Sequence, residues 1–274
     1  IKVPGQTVNR WCSSGLQTIA HAANAIIAGQ SDIVAAGGVE LMSTTPLGGS
    51  ERTNNPYLED NGPSLGVPMG VTAENVAAEF NISAEDQNAF AAESHRRAHE
   101  AQEAGKFERE IIPVHAKRPV YKEDGSIEEE EFIVDKDEGI RPGSSVETLS
   151  KLPTIFKANG SVTAGNASQI SDGAGFVILM SGKKVQELGI KPIAKFLGFK
   201  ATGVDPAIMG IGPAYAIPEV LELTDLDLDD IDLIELNEAF ASQAVASIRK
   251  LGINTEITNV NGGAIALGLS LIHI

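Results

Sequence analysis

The sequence predicts an α/β protein built of two related halves, with an irregular block inserted into the first. Three observations carry this. Apolar runs that read as buried strands alternate with segments of helical periodicity. The composition, with 28 glycines and 5% aromatic residues in 274, suits tight turns and small-residue packing and excludes disordered or fibrous chains. A strand end, a short polar motif and a helix start follow one another at Cys12 and again at Asn237.

Each element rests on its own pattern. Thr7 to Arg10 reads as a short strand running into a helix whose apolar positions are Leu16, Ile19, Ala20, Ala23, Ile26 and Ile27. Gly29 closes that helix, since glycine adopts the left-handed backbone of a C-terminal cap without penalty. Asp32 to Ala36, ended by Gly37-Gly38, reads as a buried strand, so strand, helix and strand form a βαβ unit with a parallel sheet. From about Leu41 to Ala164 the regular order breaks. Pro, Gly and Asn punctuate Pro46 to Pro68, and helices follow over about 72–80 and 84–104, with Ser83 as N-cap and Gly105 after the C-terminus of the second. A short strand is predicted over Ile111 to Ala116. Alternation resumes with a strand at Gly175 to Met180, a helix at Lys183 to Leu188 and a strand at Ile193 to Phe199. Pro213 opens a helix to about Leu223, Ile231 to Leu236 is a buried strand, and a helix spans about 239–251.

The chain is long enough to bury a large core as one big domain or two smaller ones. Its formal net charge of −16 argues against a nucleic-acid partner and against an anionic membrane surface, because both need clustered Lys and Arg. The acidic runs Glu128 to Glu131 and Asp225 to Asp232 read as solvated faces. One cysteine excludes an internal disulfide and fits a reducing compartment. No apolar run is long enough to span a membrane, and Ile1-Lys2-Val3-Pro4-Gly5 is no signal peptide. The first residues read as the middle of a longer chain.

Cys12 has two readings. A lone cysteine often acts as a small buried hydrophobe. Placed between a strand end and a helix start, however, it faces unpaired N–H groups and the positive helix end, which lower a thiol pKa and favour the nucleophilic thiolate. Ser13, Ser14 and Gly15 after it leave room for a substrate. Asn237, at the carboxyl end of an apolar strand, is placed either to hold a water or donate to an oxyanion, or to cap the next helix. Thr163-Ala164-Gly165-Asn166-Ala167-Ser168 and Asn261-Gly262-Gly263 each read as pocket lining or as plain turns. His95 and His99 have metal-ligand spacing on a helix, but no third ligand accompanies them, and a solvated helix face is expected. No dinucleotide or Walker-type glycine loop is present.

The order and spacing of these motifs resemble thiolases. Val8-Asn9-Arg10-Trp11-Cys12-Ser13-Ser14-Gly15-Leu16-Gln17 is similar to the family's active-cysteine segment. Gly37 to Ser43, Met69 to Asn75, Thr163 to Ala174, Asn237 to Ala241 and Asn261 to Gly268 are similar, in turn, to five further family segments. The resemblance implies a layered αβαβα fold. Residues 1–41 and 171–191 would form the N-terminal half, 42–170 an inserted loop domain and 192–274 the C-terminal half. It implies that Cys12 accepts the acyl group, that its backbone N–H serves one oxyanion hole, and that Asn237 holds a water in another. Ser168 would touch the pantetheine arm, and Met69 and Phe240 would border the acyl pocket. The reaction implied is cleavage of a 3-ketoacyl-CoA by CoA, in fatty-acid β-oxidation, with CoA as co-substrate and no cofactor or metal. A homodimer or homotetramer, pairing with another β-oxidation enzyme, and a bacterial cytoplasm, or an organelle if a leader precedes Ile1, are implied as well.

Two departures stand out. The family's first strands, which precede Thr7, are absent, and after Gly268 the family continues with His-Pro and, later, a second cysteine. Here Leu269-Ser270-Leu271-Ile272-His273-Ile274 follows, with Leu269 at the place of the catalytic histidine. Agreement stops inside a motif, which points to a sequencing or reading-frame artefact on a truncated gene and to impaired activity of the chain as written. An acetoacetyl-CoA thiolase is the alternative enzyme; that type often has His where this chain has Pro68, which favours the broader-chain activity. A non-catalytic thiolase-like acyl-CoA or lipid binder is the alternative outside enzymes, and a fragment without function is a third.

Overall fold

The computed structural model describes residues 2–45, 55–62 and 66–268, without the side chain of Glu59. Most of the turn-rich Pro46 to Pro68 segment and the Leu269 to Ile274 ending therefore lie outside the described residues.

Helix α1 (Ser14–Ile27) buries Ala20, Ala22 and Ala23 and packs on strands β1 (Ile33–Glu40) and β4 (Gly173–Met180). It ends as its sequence predicts, with Gly29 at φ 72° and its N–H bonded to the Ile26 carbonyl. The sheet differs from expectation. β1 pairs antiparallel with β4, from Ile33 opposite Met180 to Glu40 opposite Gly173, and Thr7 to Arg10 forms no strand. A strand exists only where a partner backbone supplies its hydrogen bonds, and the partner here arrives from far downstream in the chain with the opposite direction. The Gly37-Gly38 pair does not close β1. It lets β4 approach, because a Cβ at Gly37 would collide with the Gly175 carbonyl and Phe176. The sheet face turned away from α1 carries exposed Ile33, Val39, Phe176 and Ile178.

A helical body forms beside this unit. In it α3 (Met69–Glu79), α4 (Ala84–Glu103), α5 (Val146–Leu149), α7 (Pro213–Thr224), α8 (Ala241–Leu251) and α9 (Ala264–Leu267) pack together; the helices α2 (Pro56–Asn61) and α6 (Gly182–Leu188) complete the count among the described residues. Ser83 and Asp86 make a reciprocal capping box at the start of α4, and Gly105 follows its end at φ 67°. Asp86 also accepts from Arg249 on α8, and these partners hold its carboxyl down to about 2. Val76, Ala77, Ile211, Ala214 and Val245 make one apolar cluster, Ala91, Leu149, Ala241 and Ile265 a second, Leu236, Ala244, Ile248 and Ile253 a third. Phe90 of α4 packs against all three. The block between Leu41 and Ala164 is thus no loose appendage: its α3 and α4 share a core with α8. The strands expected at Ile193 to Phe199 and Ile231 to Leu236 do not form, beyond one isolated parallel bridge from Ile234 to Thr258.

The acidic run is exposed, as expected, but it is also a strand. β2 (Val114–Tyr121) and β3 (Ile127–Val134) make an antiparallel ribbon, Val114 opposite Val134 and Tyr121 opposite Ile127. Lys117 meets Glu129 and Glu131, Arg118 meets Glu130, and Lys122 meets Glu128. Four adjacent glutamates hide the alternation that marks a strand, so only the cross-strand cations reveal it.

Buried Glu74 of α3 fastens the loop that follows α5. It accepts the Ser161 N–H at 2.8 and 2.9 Å, the Val162 N–H at 2.8 Å and the Ser161 hydroxyl at 3.1 Å. Gly160 is required beneath it, because a Cβ there would strike the carboxylate. Glu74→Ala leaves these donors unpaired and is expected to cost about 2–4 kcal/mol in urea unfolding. Lys117→Ala removes only exposed ion pairs and is expected to change stability by about 0.5 kcal/mol or less by the same measurement.

Candidate active site

Cys12 stands two residues before the first turn of α1, on a tight backbone reversal. Trp11, just before it, has φ 51°, a left-handed conformation that is uncommon for a bulky residue. The Ser13 N–H reaches the Arg10 carbonyl at 3.1 Å and the Ser14 N–H the Trp11 carbonyl at 3.0 Å. Two of the N–H groups at the helix start are therefore already bonded to the chain itself. The thiol is half-buried, and its pKa is raised rather than lowered. Burial is the main cause, its own backbone N–H pulls the other way, and the Glu40 carboxylate on β1 adds to the rise. Of the two readings of Cys12, the raised thiol favours the buried one, and loss of water around the sulfur sets the direction.

The other predicted residues sit on the helical body. Ser168 donates its N–H to the Ala239 carbonyl at 3.0 Å, the Ala241 N–H reaches the Asn166 carbonyl at 2.8 Å, and Ala167 bridges Phe240. The Thr163 to Ser168 loop is thereby joined to the approach of α8. Phe240 meets Phe156 edge to face, centroids 6.1 Å apart. Phe156 in turn lies over Gly70, the neighbour of Met69, where any Cβ would collide with its ring. Phe156 thus links the start of α3, where Met69 lies, to Phe240, and the backbone of Ser168 is hydrogen-bonded to the residue before Phe240. Asn237 is exposed and does not cap α8, whose N-cap position is Phe240. With its amide nitrogen turned toward Asn237, Gln243 donates to the Asn237 carbonyl at 3.1 Å. Among the described residues no hydrogen bond or ring contact joins Cys12 to these four; it is carried by the α1–β1–β4 unit.

Three residues emerge only from the structure. Phe156 sits in a polar loop with no periodicity to flag it. His95 is buried rather than solvated: its Nδ1 accepts the Arg141 N–H at 3.2 Å, and burial, then the nearby Arg141 charge, lower its pKa. The face of α4 that bears it is covered by the chain near Arg141, which helical spacing alone does not reveal. Glu238 is the most consequential. At 1% exposure it accepts the Ser94 hydroxyl of α4 at 2.6 Å, the Asn259 Nδ2 at 2.8 Å and the Ile265 N–H at 3.1 Å. Gly263 must lack a side chain, because a Cβ there would strike the carboxylate. Asn259, left-handed at φ 48°, also accepts the Leu236 N–H and donates to the Leu236 carbonyl, both at 2.8 Å. The Asn237 motif and the Asn261-Gly262-Gly263 turn, read separately in sequence, are one hydrogen-bonded unit. Among the described residues no group of three or more His, Cys, Asp or Glu is placed to hold a metal.

Burial raises the Glu238 carboxyl, and burial, with the charges of Glu238 and Glu110, raises Glu235 to about 7. A carboxyl with a raised native pKa binds more protons folded than unfolded, so its contribution to stability is full below about 4.5 and is lost as pH rises through about 7. Melting temperature is therefore expected to fall across that window, and Glu235→Gln to flatten the fall. Iodoacetamide alkylation of Cys12, the only thiol in the chain, is expected to rise with pH to a midpoint above the ~8.5 of a free cysteine.

Comparison with known proteins identifies the family. Residues 1–183 match the thiolase N-terminal domain and residues 190–271 the thiolase C-terminal domain. The chain is 49% identical to a 3-ketoacyl-CoA thiolase of Bacillus subtilis, covering 99% of this chain and 72% of that protein. It is likewise 49% identical to a peroxisomal 3-ketoacyl-CoA thiolase of Arabidopsis thaliana, covering 97% of this chain and 58% of that one. Among solved structures it resembles the dimeric peroxisomal thiolase of Saccharomyces cerevisiae with a TM-score of 0.86 at 44% identity, over 96% of this chain and 65% of the other. Human mitochondrial 3-ketoacyl-CoA thiolase follows with a TM-score of 0.84 at 38% identity, over 98% and 68%. The chain therefore spans about three fifths to three quarters of the lengths of these relatives, and across that span it belongs to the thiolase family.

Proposed function

We propose that the chain carries the acyl-accepting part of a 3-ketoacyl-CoA thiolase and that Cys12 takes the acyl group. The observation that supports this most is the placement of the chain's single thiol on a strained turn before α1, within the thiolase N-terminal match. The Cys12 thiol gives its proton to solvent water, the same pool from which the leaving enolate is later protonated, and the sulfur attacks the 3-keto carbon. The bond between acyl carbons two and three breaks, and acetyl-CoA departs as its enolate, which is then protonated. The thiol of a fresh CoA attacks the acyl–Cys12 thioester, releases the shortened acyl-CoA and restores Cys12. Burial raises the Cys12 thiol, so its deprotonation is a cost the attack has to meet. Asn237 holds a water for the enolate oxygen, the Cys12 N–H contributes to the second oxyanion site, Ser168 meets the pantetheine arm, and Met69 and Phe240 bound the acyl group, with Phe156 behind them.

The close packing of α1 on β1 and β4 supports the division into an N-terminal half (1–41 and 171–191), an inserted block (42–170) and a C-terminal half (192–274). The dimeric yeast relative supports a homo-oligomer. Bacterial and peroxisomal relatives support either a bacterial cytoplasm or an organelle as the setting.

Incubation with acetyl-CoA or acetoacetyl-CoA is expected to add an acyl mass to the peptide bearing Cys12 and to protect it from iodoacetamide. Cys12→Ala is expected to abolish the adduct, and Asn237→Ala to slow cleavage of 3-ketoacyl-CoA by about 10²–10³. Absence of both adduct and protection would sink the acyl-transfer reading in favour of a non-catalytic binder. Comparing acetoacetyl-CoA with a long-chain 3-ketoacyl-CoA separates the broad-chain activity from the acetoacetyl-specific one.

A further inference from the structure

We propose that Ser14 is the positioning residue for Cys12: its hydroxyl clamps the two ends of the Arg10–Trp11 turn and so holds the left-handed backbone that presents the sulfur. The proposal rests on the reading of Cys12 as acyl acceptor. Ser14 is 6% exposed, whereas Trp11 is 65% exposed, so the clamp is inside and the strained residue outside. The Ser14 hydroxyl accepts the Arg10 N–H at 2.8 Å and donates to the Trp11 carbonyl at 2.6 Å. Donor and acceptor capacities of one hydroxyl are thus both spent across a single turn, with Cys12 seated between their partners and Ser14. A third bond, from the Trp11 N–H to the Asn9 side-chain oxygen at 2.9 Å, sets the other side of the residue.

The left-handed conformation of Trp11 needs this. A bulky L-residue with φ 51° returns to an ordinary backbone unless its surroundings over-determine it. The Trp11 ring, mostly in water, supplies little packing to hold it. The peptide groups on both sides are instead held by Ser14 and Asn9. Arg10 adds an outer brace through its guanidinium, which donates to the Gln17 side-chain oxygen at 2.7 Å one turn into α1. When the Ser14 bonds are absent, the Arg10 N–H loses its acceptor, Trp11 relaxes, and Cys12 swings away from its half-buried seat beside Glu40. Among the described residues the Glu40 carboxylate of β1 acts on the sulfur, and the turn's movement changes the distance between them.

The test is iodoacetamide alkylation of Cys12 followed by intact mass across pH, on the full chain. Because the chain has one cysteine, the readout reports this sulfur alone. Ser14→Ala is expected to move the alkylation profile toward that of an ordinary free thiol and to raise the rate at neutral pH about tenfold, while Ser14→Thr, which keeps the hydroxyl, retains the wild-type profile. In a Trp11→Gly background, where glycine takes the left-handed backbone freely, Ser14→Ala is expected to shift the profile less. A Ser14→Ala profile superimposed on the wild type, or a Ser14→Ala shift of equal size with and without the Trp11→Gly change, would overturn the proposal. Protection of wild-type Cys12 by acetyl-CoA tests the acyl-transfer reading separately. Protection with a Ser14-independent profile rejects the clamp alone, and a Ser14-dependent profile without protection rejects the acyl-transfer role alone.

Discussion

A carboxylate sealed from water at Glu238 is the constraint on which the helical half of the molecule hangs. A carboxyl group in an apolar interior is tolerated only when hydrogen-bond partners surround it, and Glu238 collects one each from α4, from Asn259 and from the start of α9. Those three donors belong to segments distant in sequence, so satisfying one side chain fixes three chain directions at once. The glycine at 263 is the geometric counterpart, leaving the backbone free to close over the carboxylate. Glu74 repeats the device at the other end of the same body, where it gathers the Ser161 and Val162 N–H groups.

Glu238 and Glu74 each bond several donors and each orders a turn. Glu238 sets the turn bearing Asn237, and Glu74 orders the loop that leads toward Ser168. Loops positioned by buried hydrogen bonds are held more precisely than free ones. The clamp at Ser14 is the same idea on a smaller scale, with a neutral hydroxyl in place of a buried charge.

The electrostatics of Cys12 show how two familiar effects compete. A helix start favours an anion, and loss of solvent disfavours it. The nearest N–H groups of α1 are committed to the carbonyls of Arg10 and Trp11, so the helix has less to offer the sulfur than its position suggests. A thiol that stays protonated until substrate arrives is protected from adventitious oxidation, since reactivity follows the thiolate.

Much was legible from the chain alone because it depends on local chemistry. The N-cap at Ser83, the glycines after α1 and α4, and Pro213 opening α7 act within a few residues, and each lies where its own stereochemistry requires. The motif order that marks the thiolase family is likewise written in the chain, and so is the lone thiol before a helix. Only the tertiary structure decided the rest. The direction of the β1–β4 pairing, the strand made of four glutamates, the burial of His95 and the proton affinity of Cys12 all depend on which distant segment lies alongside. Hydrogen-bond partners and exclusion of water are properties of neighbours in space, and a sequence names its neighbours only along the chain.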